Sequence, residues 1–229
     1  MATSIYSNND GFATHYGSSW VDARSGTPAN SASHISNAYA IRIEKTSGRG
    51  AATWIVARSF MTFDVSSITH VPSKVLLYIQ GNVNSTSDVM IVKATYSGSV
   101  SASEFLGQKN ASTAHGLSDG SGAGTFVDPD TTDSTPYPTA YIDSSISWSR
   151  YLNTITLNQD ARNDICYNST FQICLMNYSY DYLDIDPPAT LPPFSNVRSG
   201  MKFSDSSSSN DPYMDIFDAG NAIRMGTNF

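Results

Sequence analysis

The sequence predicts an all-β fold. Phe60 to Val65 alternates, with Met61, Phe63 and Val65 on one side and Thr62 and Asp64 on the other, as a strand with one buried face must. Lys74 to Asn82, reading Lys-Val-Leu-Leu-Tyr-Ile-Gln-Gly-Asn, is a second strand of the same kind. Composition agrees: hydrophobic residues make up 40% of the 229 and charged residues only 14%, so the surface is finished with Ser, Thr and Asn, which compete with a helical backbone for hydrogen bonds. Thirteen Tyr and ten Phe push the same way.

Taken in order, residues 1 to 38 are small and polar and read as an N-terminal arm with a first strand at Trp20 to Ala23. Tyr39 to Ile43 alternates, Thr46 to Gly50 is a turn, and Trp54 to Ala57 leads into the strand at Phe60. Between the two organising strands, Asp64 and Ser66 can fold back on their own backbone and Pro72 cannot donate to a ladder, so the connection is a turn or short crossover. Val89 to Tyr96 is apolar on both sides, which suits a central strand. Two short helical turns are expected: at Ser101 to Glu104, a capping box before Phe105 and Leu106, and at Asn158 to Cys166, with Asn158 as cap and Ala161 and Ile165 one turn apart. Residues 107 to 147 form a long polar loop, of a length uncommon in a compact domain unless it is functional or disordered. Leu152 to Leu157, Phe171 to Met176, Gly200 to Phe203 and Tyr213 to Phe217 supply the last strands, and Pro187-Pro188 and Pro192-Pro193 mark a rigid loop between them. With residues 220 to 229 as a tail and no fixed-period repeat, the chain reads as one domain, 1 to 229.

Several of these segments carry a resemblance. Phe63-Asp-Val-Ser-Ser-Ile68, a proline-containing connection and then Val75-Leu-Leu-Tyr-Ile79 resemble the core of the DNRLRE or carbohydrate-binding-module-like jelly-roll domains. The likeness continues in Trp148, Asn153 to Asn158, Phe171 to Met176 and Asp211 to Ile216, covering roughly residues 10 to 218. Ser73-Lys74 stands where several relatives carry Ser-Ala, and the namesake signature is not intact. The resemblance implies a jelly-roll β-sandwich. It also implies one of the settings of such domains, bacterial surface proteins or virion proteins of tailed phages, the crAss-like ones among them.

The net charge of -7 and a pI near 4.8 argue against a nucleic-acid partner, which would need clustered Lys and Arg to displace counterions. No segment approaches the roughly 18 apolar residues of a membrane span. The first ten residues lack the basic start and apolar run of a secretory signal, so synthesis in a host cytoplasm is expected. Cys166 and Cys174 should then be reduced thiols, and the sequons at Asn84, Asn110, Asn168 and Asn177 accidents of a Ser/Thr-rich chain.

Little in the sequence points to catalysis. His15, His34, His70 and His115 have no partner at metal-ligand spacing, no Gly-x-Ser-x-Gly elbow occurs, and Gly116 to Gly124 has the glycines of a phosphate cradle without its strand and helix. Asp181, Asp184 and Asp186 form the best acidic cluster, suited to a structural calcium or a glycosidase carboxylate pair, though a solvated loop accounts for the same spacing. Asp128, Asp130 and Asp133 are a second cluster. For glycan stacking or subunit contact the candidates are Tyr137, Tyr141, Trp148, Tyr178, Tyr180 and Tyr182, the last three alternating as if to line one face of a strand end.

Two functions are expected. The first is a non-catalytic virion structural protein, an auxiliary or decorating head protein whose partner is the major capsid protein. Residues 1 to 38, 107 to 147 and 220 to 229 would then bury handles such as Phe126, Tyr137 and Phe229 against neighbouring subunits. The second is a carbohydrate-binding module that attaches to glycans. Neither requires a cofactor beyond that structural calcium.

Overall fold

The computed structural model describes residues 2–25, 31–35, 37–46, 52–82, 87–94, 100, 139–183, 185, 187–188, 197–204 and 210–218. The strands are β1 (Ala2–Gly17), β2 (Ser31–Ser33), β3 (Asn37–Thr46), β4 (Thr53–Asp64), β5 (Lys74–Gln80), β6 (Asp88–Lys93), β7 (Ile146–Ser147), β8 (Leu152–Thr156), β9 (Thr170–Asn177), β10 (Val197–Met201) and β11 (Tyr213–Phe217). Helices α1 (Trp20–Ser25) and α2 (Gln159–Tyr167) and a π-helical turn, Tyr178–Tyr182, complete the described elements.

The fold is an all-β sandwich, and every pairing among the described strands is antiparallel. One sheet runs β1-β11-β5-β8 and the other β7-β6-β9-β4-β1, with β2 beyond β1. β1 belongs to both. Its Ala2 to Tyr6 pair with β11, the register shifts between Ser7 and Asn9, and the rest of the strand pairs with β4. Such a bulge bends a strand and adds twist, which lets one strand pass from layer to layer.

β4 is the spine. One edge meets β1 along almost its whole length, and the other is shared, β3 taking Thr53 to Ala57 and β9 taking Ser59 to Asp64. The expected lead-in Trp54 to Ala57 and the strand at Phe60 are therefore one continuous strand, with Arg58 and Ser59 inside it. Ser59 Oγ donates to the carbonyl of Ala40 at 2.6 Å where β3 and β9 part. The crossover after β4 is as the sequence predicts: Ser66 N–H donates to Asp64 Oδ1 at 3.0 Å, and the chain then enters β5 in the other sheet.

The core lies between the layers. Val75, Leu77 and Ile79 of β5, Met214 and Ile216 of β11 and Ile155 of β8 face Met61 and Phe63 of β4, Ile91 of β6 and Phe171, Ile173 and Leu175 of β9 in one buried cluster. α2 forms where predicted, Asn158 Oδ1 accepting from Ala161 N at 3.1 Å and Ala161 and Ile165 turned inward.

The N-terminal segment departs from expectation. It is no arm: Ala2–Gly17 is a sixteen-residue strand, and the residues from Trp20 onward form α1, not a strand. Small residues mislead here because close approach needs them; a Cβ on Gly17 would lie 2.2 Å from the Ala23 nitrogen. The helical turn at 101 to 106, the loop to residue 138 and the tail from 220 lie outside the described residues.

Candidate functional site

Asp181 is the most constrained of the predicted site residues. The five-residue π-helical turn carries it inward, begun by Asn177, whose side chain accepts from Tyr180 N at 2.8 Å. Arg58 of β4 donates to both of its carboxylate oxygens, Nε to Oδ2 at 2.6 Å and Nη2 to Oδ1 at 2.5 Å. Arg24 of α1 donates Nε and Nη2 to the Asp181 carbonyl at 3.0 and 2.7 Å, and its own carbonyl accepts from Arg58 Nη2 at 3.1 Å. Both arginines and the aspartate are buried. A buried charge persists only when paired and hydrogen-bonded, and this triad meets both conditions.

The arrangement corrects the solvated-loop picture of Asp181. A calcium ligand or glycosidase carboxylate needs an oxygen turned to its ligand, and these oxygens are held by guanidinium instead. Asp184 and Asp186 lie outside the described residues, as do Asp128, Asp130 and Asp133. Among the described residues, no three His, Cys, Asp or Glu side chains converge as a metal site requires.

The predicted aromatic platform is also relocated. Tyr178, Tyr180 and Tyr182 sit on the π-helical turn, not on a strand end, and pack half-buried against the core. Tyr178 and Tyr182, four residues apart, stack at 5.8 Å between centroids. Burial, helped by the neighbouring Tyr178, pushes the Tyr182 phenol above its ordinary range. Trp148 is buried, its Nε1 donating to the Gly200 carbonyl at 2.9 Å. Tyr141 is buried too, its hydroxyl on Asp164 Oδ2, which also takes Lys93 Nζ at 2.9 Å. Tyr137 and His115 lie outside the described residues.

The other histidines serve local structure. His15 Nδ1 meets the Ala23 carbonyl at 3.2 Å, His34 Nδ1 the Asp10 carbonyl at 2.8 Å, and exposed His70 pairs Nε2 with Asp218 Oδ1 at 2.9 Å. Asn177 is buried by its capping role, whereas Asn168 is exposed at the end of α2.

Sequence reasoning missed the aromatic surface that is present. On the outward face of the first sheet, Tyr6, Tyr213 and Tyr78 stand directly opposite one another on β1, β11 and β5. Tyr78 and Tyr213 lie 4.6 Å apart with planes 14° from parallel, and Tyr213 and Tyr6 5.4 Å apart at 33°. The first pair is stacked and the second tilted, so the three rings form one contiguous row across the sheet. Beside them Ser4 Oγ donates to Asp215 Oδ1 at 2.6 Å. Desolvation first, and then the Asp215 charge, raise the phenols of both Tyr78 and Tyr213. The signal was the placing of Tyr6, Tyr78 and Tyr213 at outward positions of three strands, but only the register brings them into one row.

No family model matches the chain, and no curated protein is significantly similar to it.

Proposed function

We propose that this chain is a non-catalytic structural protein of a tailed-phage particle, an auxiliary or decorating head protein on a jelly-roll sandwich, with the major capsid protein as its neighbour. The tyrosine row carries the reading. Its three rings lie side by side on the outward face of a sheet that holds them in register. That is a surface for protein: aromatic side chains are enriched at protein interfaces because they bring large contact area and a polar tip together. Among the described residues, buried Asp181 is occupied by Arg58, and half-buried Asp164 by Tyr141 and Lys93. The resemblance carried by Phe63 to Ile79 supplies the virion setting.

A carbohydrate-binding module is the second reading, and one observation favours it. Tyr6 ends the stack, is 54% exposed, and has Ser4 and Asp215 beside it as hydroxyl partners. One ring with polar neighbours can hold one pyranose.

Incubating the protein with undecorated capsid shells and, separately, with a broad glycan array decides between them. Retention on shells, lost in Tyr6→Ser and Tyr213→Ser, is the expected result. Selective glycan binding lost in Tyr6→Ser, without retention on shells, would replace the virion reading with the module.

A further inference from the structure

We infer that β8 is a self-pairing edge through which two copies of this chain join their first sheets into one. Such pairing is independent of the virion reading. β8 ends the order β1-β11-β5-β8, and its hydrogen-bonding direction is fixed by its flanks. Leu157 N–H donates to the Val75 carbonyl at 3.0 Å, and Gly81 N–H to the Tyr151 carbonyl at 2.9 Å. Odd-numbered residues therefore bond to β5. Leu152, Thr154 and Thr156 point their N–H and C=O groups away from it, and among the described residues no strand pairs with that side.

Exposed edges are normally blunted by Lys, Pro, a bulge or an inward charge. Leu152-Asn-Thr-Ile-Thr156 has none of these. The opposite edge, β1 from Ala2 to Tyr6, does carry a bulge where it leaves the sheet.

A second copy fits because the edge is self-complementary about Thr154. In an antiparallel two-fold pairing centred there, Thr154 faces its own counterpart and Leu152 faces Thr156 of the other copy, so every outward donor meets an acceptor. Leu152, 50% exposed, then packs across the seam on Thr156. The same register brings exposed Arg150 of one copy to the start of α2 of the other, where Asp160 is exposed. No like charges oppose each other within the strand. The symmetry closes after two copies, as an isologous contact must.

The test uses charge at the symmetry point. Thr154 is exposed, so Thr154→Lys and Thr154→Glu should fold with melting curves near that of the parent protein. Sedimentation equilibrium of the parent protein should give a dimer. Each variant alone should be a monomer, because like charges would lie directly opposite. Mixing the two should restore a heterodimer, read by native mass spectrometry, and added salt should weaken it. A monomeric parent protein, a parent that forms longer chains, or dimers unaffected by Thr154→Lys would each overturn the proposal.

Discussion

Arg58 and Asp181, 123 residues apart in the chain, meet as a two-point ion pair with 0% and 1% of their side chains open to solvent. The contact ties the spine strand β4 to the π-helical turn, and Arg24 adds α1 to the same knot. Removing one member of a buried pair strands the other without water. Asp181→Asn should therefore cost about 3–5 kcal/mol, measured by urea unfolding. Arg58→Lys should not rescue, because an ammonium cannot span both carboxylate oxygens. A loss no larger than that of a surface substitution would show that the triad is not a structural lock.

How far this is legible in the sequence depends on whether the signal is local. Alternation at Phe60 to Val65 and Lys74 to Gln80 marks two strands, and Asn158 marks the cap of α2, because each depends on near neighbours. α1 carries a local signal too, which a strand at Trp20 to Ala23 overlooks. Ser19-Trp-Val-Asp22 has capping-box spacing, with Ser19 Oγ accepting from Asp22 N and Asp22 accepting from Ser18 N. Arg58 goes unremarked between Ala57 and Phe60 because nothing local says that a charge at that position has a partner. Asp181 reads as a loop acid for the same reason, and Trp148 and Tyr141 read as exposed because an aromatic residue in a polar stretch does not announce what covers it.

Tyr141 makes stability depend on alkaline pH. Burial, then the hydrogen bond to Asp164 and its charge, raise this phenol far above its ordinary value of 10.0. The unfolded chain releases the proton near that value while the folded chain keeps it, so the contribution is full below about pH 10 and declines as pH rises further. Tyr141→Phe should lose about 1.5–3 kcal/mol near neutral pH, the range for a hydrogen bond to a charged group. Its stability should then fall less steeply than the parent's above about pH 10, in paired urea titrations. Equal slopes would show that Tyr141 is not held protonated by the fold.

Gly81 should not tolerate a side chain. It lies where β5 ends beneath the turn before β8, and a Cβ would sit 1.9 Å from the Ser149 carbonyl oxygen and 2.9 Å from the Arg150 Cα, both backbone atoms. That turn is itself held by Asn153, whose Nδ2 donates to the carbonyls of Ser149 and Tyr151. Gly81→Ala should cost about 1–3 kcal/mol, the range for overpacking. A melting temperature equal to the parent's would mean that the turn yields.

Both cysteines are free, and their surroundings separate them. Cys174 is fully buried on β9, where desolvation pushes its thiol well above the ordinary range, partly offset by the Arg58 charge. Cys166 is only partly buried on α2. Since the thiolate is the reactive form, a thiol reagent should label Cys166 in the native protein and both cysteines only after denaturation. Labelling of Cys174 at the rate of Cys166 in native protein would mean that β9 opens far more readily than a strand paired on both edges should.

The tyrosine row allows stability and contact to be told apart within one structure. Tyr213 meets both neighbours, stacked on Tyr78 and tilted against Tyr6, whereas among the described residues Tyr6 has a ring contact with Tyr213 alone and stands more than half exposed. An aromatic pair contributes about 0.5–1.5 kcal/mol beyond its buried area, so Tyr213→Ala, which loses two pairs, should cost about 1–3 kcal/mol and Tyr6→Ala no more than half of that. Contact with a partner should follow a different order. Tyr6 is the more accessible ring, so its loss should weaken retention on capsid shells at least as much as loss of Tyr213, although it disturbs the fold less. Urea unfolding and shell retention measured on the same two variants check this. If Tyr6→Ala leaves retention unchanged while Tyr213→Ala weakens it in proportion to lost stability, the row serves the sheet and not a partner.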